Sequence, residues 1–427
     1  MMRRNAGIVA MLMAVGPLGH RSVAAQEPVP HPSQQMSHPA VDSAAVARTA
    51  ARDASRSSSG SERVQLMQRA TKAWPTQPAY WQMLERAALA AGDSAHAARA
   101  RLRLDALDVG TTRVQPDSVQ VMFSMPDSLD YMESIAWDAS RSTLLLSEMR
   151  RGTVWRMSGA GRSYDLRLDT LPGMSAVWAM RASHDGQSLW VSSAPMPPHT
   201  RARQSPTPAA AIWQVDSKRG AVTGRWALPD SLAGHAPGDL LVLRDGRVLV
   251  SDAGTAALCV LHPRTGQTVT IRHPLLRSPQ GMVELPPDRA GADTDVVLLA
   301  DYSHGLLRIN LDTRSVQRVD DAVDRSVLGL DGMAWHKGQL VAVQNGLATP
   351  RVVAIGLDHD ARRVRGVVTL WRDTTMLVSP TTLTSDGEAL WLFANTQWDD
   401  YAPDGSRVAN RPLRAARVVR LSGFSRR

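Results

Sequence analysis

The chain has 427 residues, with 49 Lys and Arg against 40 Asp and Glu, a formal charge of +9 and one cysteine. That length exceeds a single small core and suits two domains. The lone Cys259 excludes an intrachain disulfide, and the basic residues, nearly all arginine, are scattered rather than gathered in the stripe a nucleic-acid binder needs. We therefore expect no nucleic-acid partner and read the arginine preference as coding bias. The apolar neighbours Ala257, Leu258, Val260 and Leu261 mark Cys259 as a buried, inert thiol.

Residues 1–25 read as a cleavable secretion signal. Arg3 and Arg4 form a positive start, residues 6–18 an apolar run, and Val23, Ala24 and Ala25 the small-residue cleavage site. A spanning helix needs about 20 apolar residues, and no other segment reaches that length. The expected location is periplasmic or extracellular, with no membrane span.

Residues 26–60, rich in Pro, Ser, Ala and His, read as a disordered linker. Helical spacing begins at Ser61. Val64, Leu66, Met67 and Ala70 mark one helix, and Pro78 opens a second carrying Trp81, Leu84, Ala87, Ala88 and Ala91. Gly92 and Asp93 end it, and a third carries Leu102, Leu104 and Leu107. Residues 61–110 resemble one tetratricopeptide unit with a flanking helix. One such unit cannot bury its own face, so the segment is expected to cap a neighbour and offers a surface for a protein partner.

From residue 118 to 422 short alternating β-runs recur between DG, GQ and GR turns. Six runs align: ESIAWDASRSTLLLSE, WAMRASHDGQSLWVSS, DLLVLRDGRVLVSD, QGMVELPPDRAGADTDVVLLAD, DGMAWHKGQLVAVQN and PTTLTSDGEALWLFAN. They start at Glu133, Trp178, Asp239, Gln280, Asp331 and Pro380. This is the spacing of four-stranded blades, so the fold class is an all-β six-bladed propeller preceded by a small α-helical region. The sixth unit ends after its third strand. The orphan run at residues 118–123 is expected to complete it and close the ring.

In a propeller the loop into each innermost strand and the loop out of the second strand open on one face, around the central channel. Read this way, three carboxylates (Glu133, Asp239, Asp331) and the Gln280 amide converge. Like charges there raise each other's pKa unless a cation offsets them, and a hard divalent ion takes oxygen ligands. The bland reading is that Asp before Gly only shapes a turn. His304 leaves a second strand toward the same face and reads mainly as a surface polar residue. His336 sits at the far end of an inner strand. The long loop at residues 194–210 is placed on the channel face of blade 2.

Residues 118–422 resemble the regucalcin and gluconolactonase family, relatives of paraoxonases and strictosidine synthases. The resemblance is carried by ESIAWD at Glu133, SPQGM at Ser278 and LDGMAWHKGQLVAVQNG at Leu330. It implies one divalent metal on Glu133, Gln280 and Asp331, with Ca²⁺ first and Zn²⁺ or Mg²⁺ as alternatives. It also implies a lactone- or ester-hydrolase chemistry with Asp331 or Asp239 as the proton acceptor. The resemblance also puts Asp239 near an Asn that helps orient substrate, and position in the blades adds Trp178, His304, Asn345 and Trp398 near the channel mouth as candidate contacts to a small-molecule or glycan ligand. Two positions depart from the family: Gln280 stands for an Asn, and Pro237 for a substrate-binding Arg. ADYSHGLLRIN, at Ala300, also resembles non-catalytic repeat propellers, so a peptide-, glycan- or protein-binding module remains the alternative.

Overall fold

The structure, a computed structural model, describes residues 41–424 apart from 76, 108–111, 126–130, 159–163, 168–172, 197–208, 230–233, 291–292, 294, 322–326, 347–348, 402–406 and 408–413. The expected secretion signal and most of the blade 2 loop lie outside the described residues. The chain divides near Gly110 into a helical unit and a β unit.

The helical unit comprises α1 (Val41–Arg56), α2 (Gly60–Ala73), α3 (Pro78–Ala90) and α4 (Ser94–Leu107), each packed on the next. The starts are encoded locally. Ser59 accepts the Glu62 N–H ahead of α2, Pro78 occupies the first position of α3, and Asp93 accepts the His96 N–H of α4. Gly92, at φ +73°, releases the chain from α3. One expectation changes. The linker read over 26–60 ends in α1, because alanines such as Ala47, Ala50 and Ala54 favour helix and bury against neighbours even without large apolar residues. Leu102 and Leu104 do not share a face. Two residues apart on a helix they point in nearly opposite directions, and Leu104 is buried while Leu102 is 60% exposed.

The β unit is a ring of six sheets. Their inner strands are Met132–Asp138, Ala176–Ala182, Asp239–Val242, Pro279–Glu284, Leu330–His336 and Leu383–Ser385, for blades 1 to 6. Five sheets have four strands. In blade 5 Thr112–Arg113 and Asp320–Asp321 add in parallel to the outer strand, Arg363–Trp371. Ser118–Ser124 pairs antiparallel with Arg417–Ser422, from Ser118 opposite Ser422 to Ser124 opposite Arg417. The ring is therefore closed by both chain ends, as the truncated sixth repeat predicts.

The core is divided among the blade interfaces. Most apolar clusters join two neighbours, as with Leu258 and Val260 of blade 3 against Leu299, Leu307 and Ile309 of blade 4, and one runs from Tyr131 and Trp398 through blade 2 to Leu240 and Val250 of blade 3. Fully burying one such side chain stabilises the fold by about 1.5–3 kcal/mol. Arginines reinforce the same seams. Arg141 donates to the Gly186 carbonyl at 2.6 Å, and buried Arg156 donates to Ser217. Arg247 pairs with Asp295, while Arg308 joins Asp293 at 2.8 Å to the Asp360 carbonyl at 3.1 Å. These arginines thus have a structural use beyond coding bias, since a planar fork reaches several acceptors at once.

The inner strands of blades 1, 2, 4 and 5 do not pair evenly. Each carries a register slip near its start, between Met132 and Ile135, Val177 and Ala179, Pro279 and Met282, and Leu330 and Met333. Glu133, Trp178, Gln280 and Asp331 sit in these bulges, which re-aim side chains and often border functional sites. A Cβ on Gly281 would lie 2.5 Å from the Asp331 carbonyl, and one on Gly332 2.6 Å from Thr382 Cα. Only glycine lets successive inner strands approach so closely. Blade 6 differs from expectation, because Pro380 precedes its inner strand instead of opening it. Proline has no ladder N–H, and the next two residues turn to blade 1: Thr381 and Thr382 hydroxyls donate to the Glu133 carbonyl at 3.0 and 2.9 Å.

Candidate functional site

The bulges of blades 1 and 5 hold two interacting acids. Glu133 and Asp331 are each 7% exposed. Burial, then the field of Asp331, pushes the Glu133 pKa well above the usual carboxylate range, against the Trp398 indole N–H bonded to its Oε2. Burial likewise pushes Asp331 up to about 7, with the Asp239 charge adding to it and the hydrogen bond from Asn345 opposing it. Each acid is thus destabilised as an anion and sits in the field of another carboxylate, the condition a bound cation relieves.

Asp239 belongs to the same electrostatic group but not to the same chemistry. Arg181 Nη2, from the blade 2 inner strand, donates to its Oδ1 at 2.8 Å, and the Met282 N–H of blade 4 donates to its Oδ2 at 2.7 Å. With both oxygens engaged, Asp239 staples blades 2, 3 and 4. That geometry disfavours the roles of proton acceptor and substrate contact expected for it. The convergence of three acids reduces to two, and among the described residues no three His, Cys, Asp or Glu side chains group closely enough to hold a metal.

The amides divide similarly. Gln280 Nε2 donates to Ser278 Oγ at 3.0 Å, and its Oε1 lies toward blade 3, 3.4 Å from where a Gly238 Cβ would stand. Asn345, just past the second strand of blade 5, donates through Nδ2 to Asp331 Oδ2 and to the Pro380 carbonyl, both at 2.7 Å. Its buried Oδ1 accepts no hydrogen bond from the described residues.

The two tryptophans expected at the channel mouth are buried, Trp178 at 4% and Trp398 at 9% exposure. Trp178 donates to the Ala194 carbonyl at 3.3 Å, and its ring lies 6.2 Å from that of Trp398. Trp398 packs on Tyr131 at 4.8 Å, and Tyr131 on Tyr401 at 4.6 Å. The rings pack on one another beside Glu133, and the burial of both tryptophans does not match the exposed stacking surface expected of them. His304 is also buried: its backbone N–H donates to Asp301 Oδ1 at 3.0 Å, and its ring Nδ1 lies 3.4 Å from the same oxygen. His336 bonds Ser385 Oγ at 2.8 Å and links blade 5 to blade 6.

One device is not anticipated by the repeat alignment. The residue ending a second strand ties the loop before its inner strand to its own outgoing loop. Asp301 accepts the Arg277, Ser278, Ser303 and His304 N–H groups, and Asp252 accepts those of Ala236 and Thr255 as well as His235 Nδ1 at 2.5 Å. These donors hold Asp252 below the usual carboxylate range despite burial. Gln344 and Asn395 serve blades 5 and 6 alike. The signal was present: the equivalent positions at the ends of the second strands are Asp252, Asp301, Gln344 and Asn395, all polar after an apolar run.

Fold and site together define a six-bladed β-propeller with paired acids at its inner-strand bulges. No protein-family model matches the chain, and no curated protein matches it. Among solved structures it is similar to the PQQ-bound aldose sugar dehydrogenase of Streptomyces coelicolor, with 14% identity, TM-score 0.46, and coverage of 71% of this chain and 98% of that one. It is also similar to virginiamycin B lyase from Staphylococcus aureus, with 11% identity, TM-score 0.45, and coverage of 71% and 99%. A structure provisionally described as a gluconolactonase gives 15% identity, TM-score 0.46, and coverage of 72% and 93%. At such identities the likeness concerns the fold. No helix among the described residues is long and apolar enough to cross a membrane.

Proposed function

We propose that this propeller is an exported, metal-dependent hydrolase of lactone-like esters, acting at the bulges of blades 1 and 5. The observation that carries the reading is the pair Glu133 and Asp331, buried, each with its pKa raised by burial and by a neighbouring carboxylate. A polar pair of this kind is costly to keep in a fold unless it has a use. The donors at the bulges are all oxygens, carboxylate and amide, with no His or Cys among them, which suits Ca²⁺ ahead of Zn²⁺. A divalent cation bound there supplies Lewis acidity toward an ester carbonyl and toward water.

The remaining work falls to the chain. Glu133, fixed by Trp398, contributes charge. Asp331, steadied at Oδ2 by Asn345, has Oδ1 left to take a proton from the attacking water and return it to the leaving alkoxide. Arg181 keeps Asp239 occupied with the fold, so Asp331 is the working base. Export rests on Arg3, Arg4 and the apolar run after them.

The test is hydrolysis of γ- and δ-lactones and aryl esters by the purified protein, in calcium and in chelator. Asp331→Asn preserves the shape and should lower turnover by about 10²-fold or more. Turnover that survives both chelator and this substitution contradicts the proposal. A second reading, a non-catalytic binding module, is favoured by Leu89 and Leu102 of the helical unit, exposed at 65% and 60%. It predicts no turnover of any ester under either condition.

A further inference from the structure

We infer that the amide oxygen completing the cation site is Oδ1 of Asn345, and that Gln280, in the position of the family's amide ligand, does not supply it. The inference rests on the proposed function in taking the two acids as a cation site, and it reassigns one of the ligands.

Three observations carry it. Asn345 is 4% exposed, and its Nδ2 is committed to two acceptors, Asp331 Oδ2 and the Pro380 carbonyl. Because the Pro380 carbonyl can only accept, the amide cannot flip, and Oδ1 is held as a buried acceptor without a donor among the described residues. A buried acceptor left unmet is expensive and calls for an explanation. The Gln280 amide is oriented differently. Ser278 takes its Nε2, its Oε1 leans toward Gly238 of blade 3, and the residue is only half-buried, so water can satisfy that oxygen. Finally, two carboxylates fall short of the oxygens a hard cation demands. Asn345 Oδ1 is the oxygen already placed against one of them with no other bond to make.

An alternative use for Asn345 is only to orient Asp331 through Nδ2, and the variants separate the two roles. Asn345→Ala removes the oxygen and the donor, whereas Asn345→Asp keeps the oxygen and loses the donor. Calcium titration calorimetry on the full chain, with circular dichroism to verify folding, should show wild-type binding weakened about 10- to 100-fold in Asn345→Ala. Affinity should be largely regained in Asn345→Asp, and Gln280→Ala should bind within about threefold of the wild type. Asn345→Ala binding like the wild type overturns the inference, as does Asn345→Asp binding no better than Asn345→Ala, or loss of binding in Gln280→Ala alone. A wild type that takes no calcium overturns the functional reading itself, which a failure of the variants alone does not.

Discussion

Two buried carboxyls, one in the field of the other, must hold a proton, bind a cation or weaken the fold, and Glu133 and Asp331 are in that position. Burial pushes Asp331 up to about 7 from an ordinary 3.8, and Glu133 is shifted in the same direction. A carboxyl whose folded pKa is raised binds its proton more tightly in the native state. Its contribution to stability is full below the unfolded pKa and is lost as pH rises through the folded one. In chelator the melting temperature of the wild type should therefore fall as pH rises from about 4 to beyond 7. Asp331→Asn should flatten that fall and melt higher than the wild type at mildly alkaline pH. Parallel melting curves for the two proteins across this range would refute the buried acid pair. The acids themselves were legible in the sequence, because they interrupt an apolar pattern at the same repeat position. The engagement of Asp239 by Arg181 and Met282, and the turn of Gln280 toward blade 3, were not. They depend on contacts between blades about 40 to 60 residues apart, which no local spacing encodes.

At the scale of elements, the inner-strand bulges link fold to site. An unbroken pleat would alternate successive side chains strictly between the two faces, whereas the slips at Glu133, Trp178, Gln280 and Asp331 redirect residues near the axis. The glycines at 281 and 332 were visible in the QGM and DGM repeats, but their reason, backbone approach from the next blade, appears only in three dimensions. Closure by Ser118–Ser124 was legible because the last repeat lacks a strand that the segment ahead of the first supplies. Replacing both Val119 and Gln120 by proline removes one ladder N–H whichever of the two is paired, since neighbouring residues alternate in an antiparallel ladder. The double variant should lose about 2 kcal/mol or more of stability. Through the edge left at Arg417–Ser422, it should also form concentration-dependent oligomers on size exclusion. A melting point and elution profile like those of the wild type would contradict closure by this strand.

For the whole molecule, the ring distributes its stability over the seams between blades, where apolar clusters and bridging arginines lie. The blade count was legible from repeat spacing. The leading helix α1 was not, because alanine is compatible with both a linker and a closely packed helix. The site sits where seams meet the channel, so a cation there would tie blades 1 and 5 and stabilise the propeller on binding. A ligand that binds only the native state adds RT ln(1 + [L]/Kd), about 2.7 kcal/mol at a hundredfold excess over Kd. The most direct test of the account is the melting temperature of the wild type and of Asp331→Ala, each in calcium and in chelator. The account predicts that calcium raises the wild type alone; an equal effect of calcium on both proteins, or none on either, would contradict it.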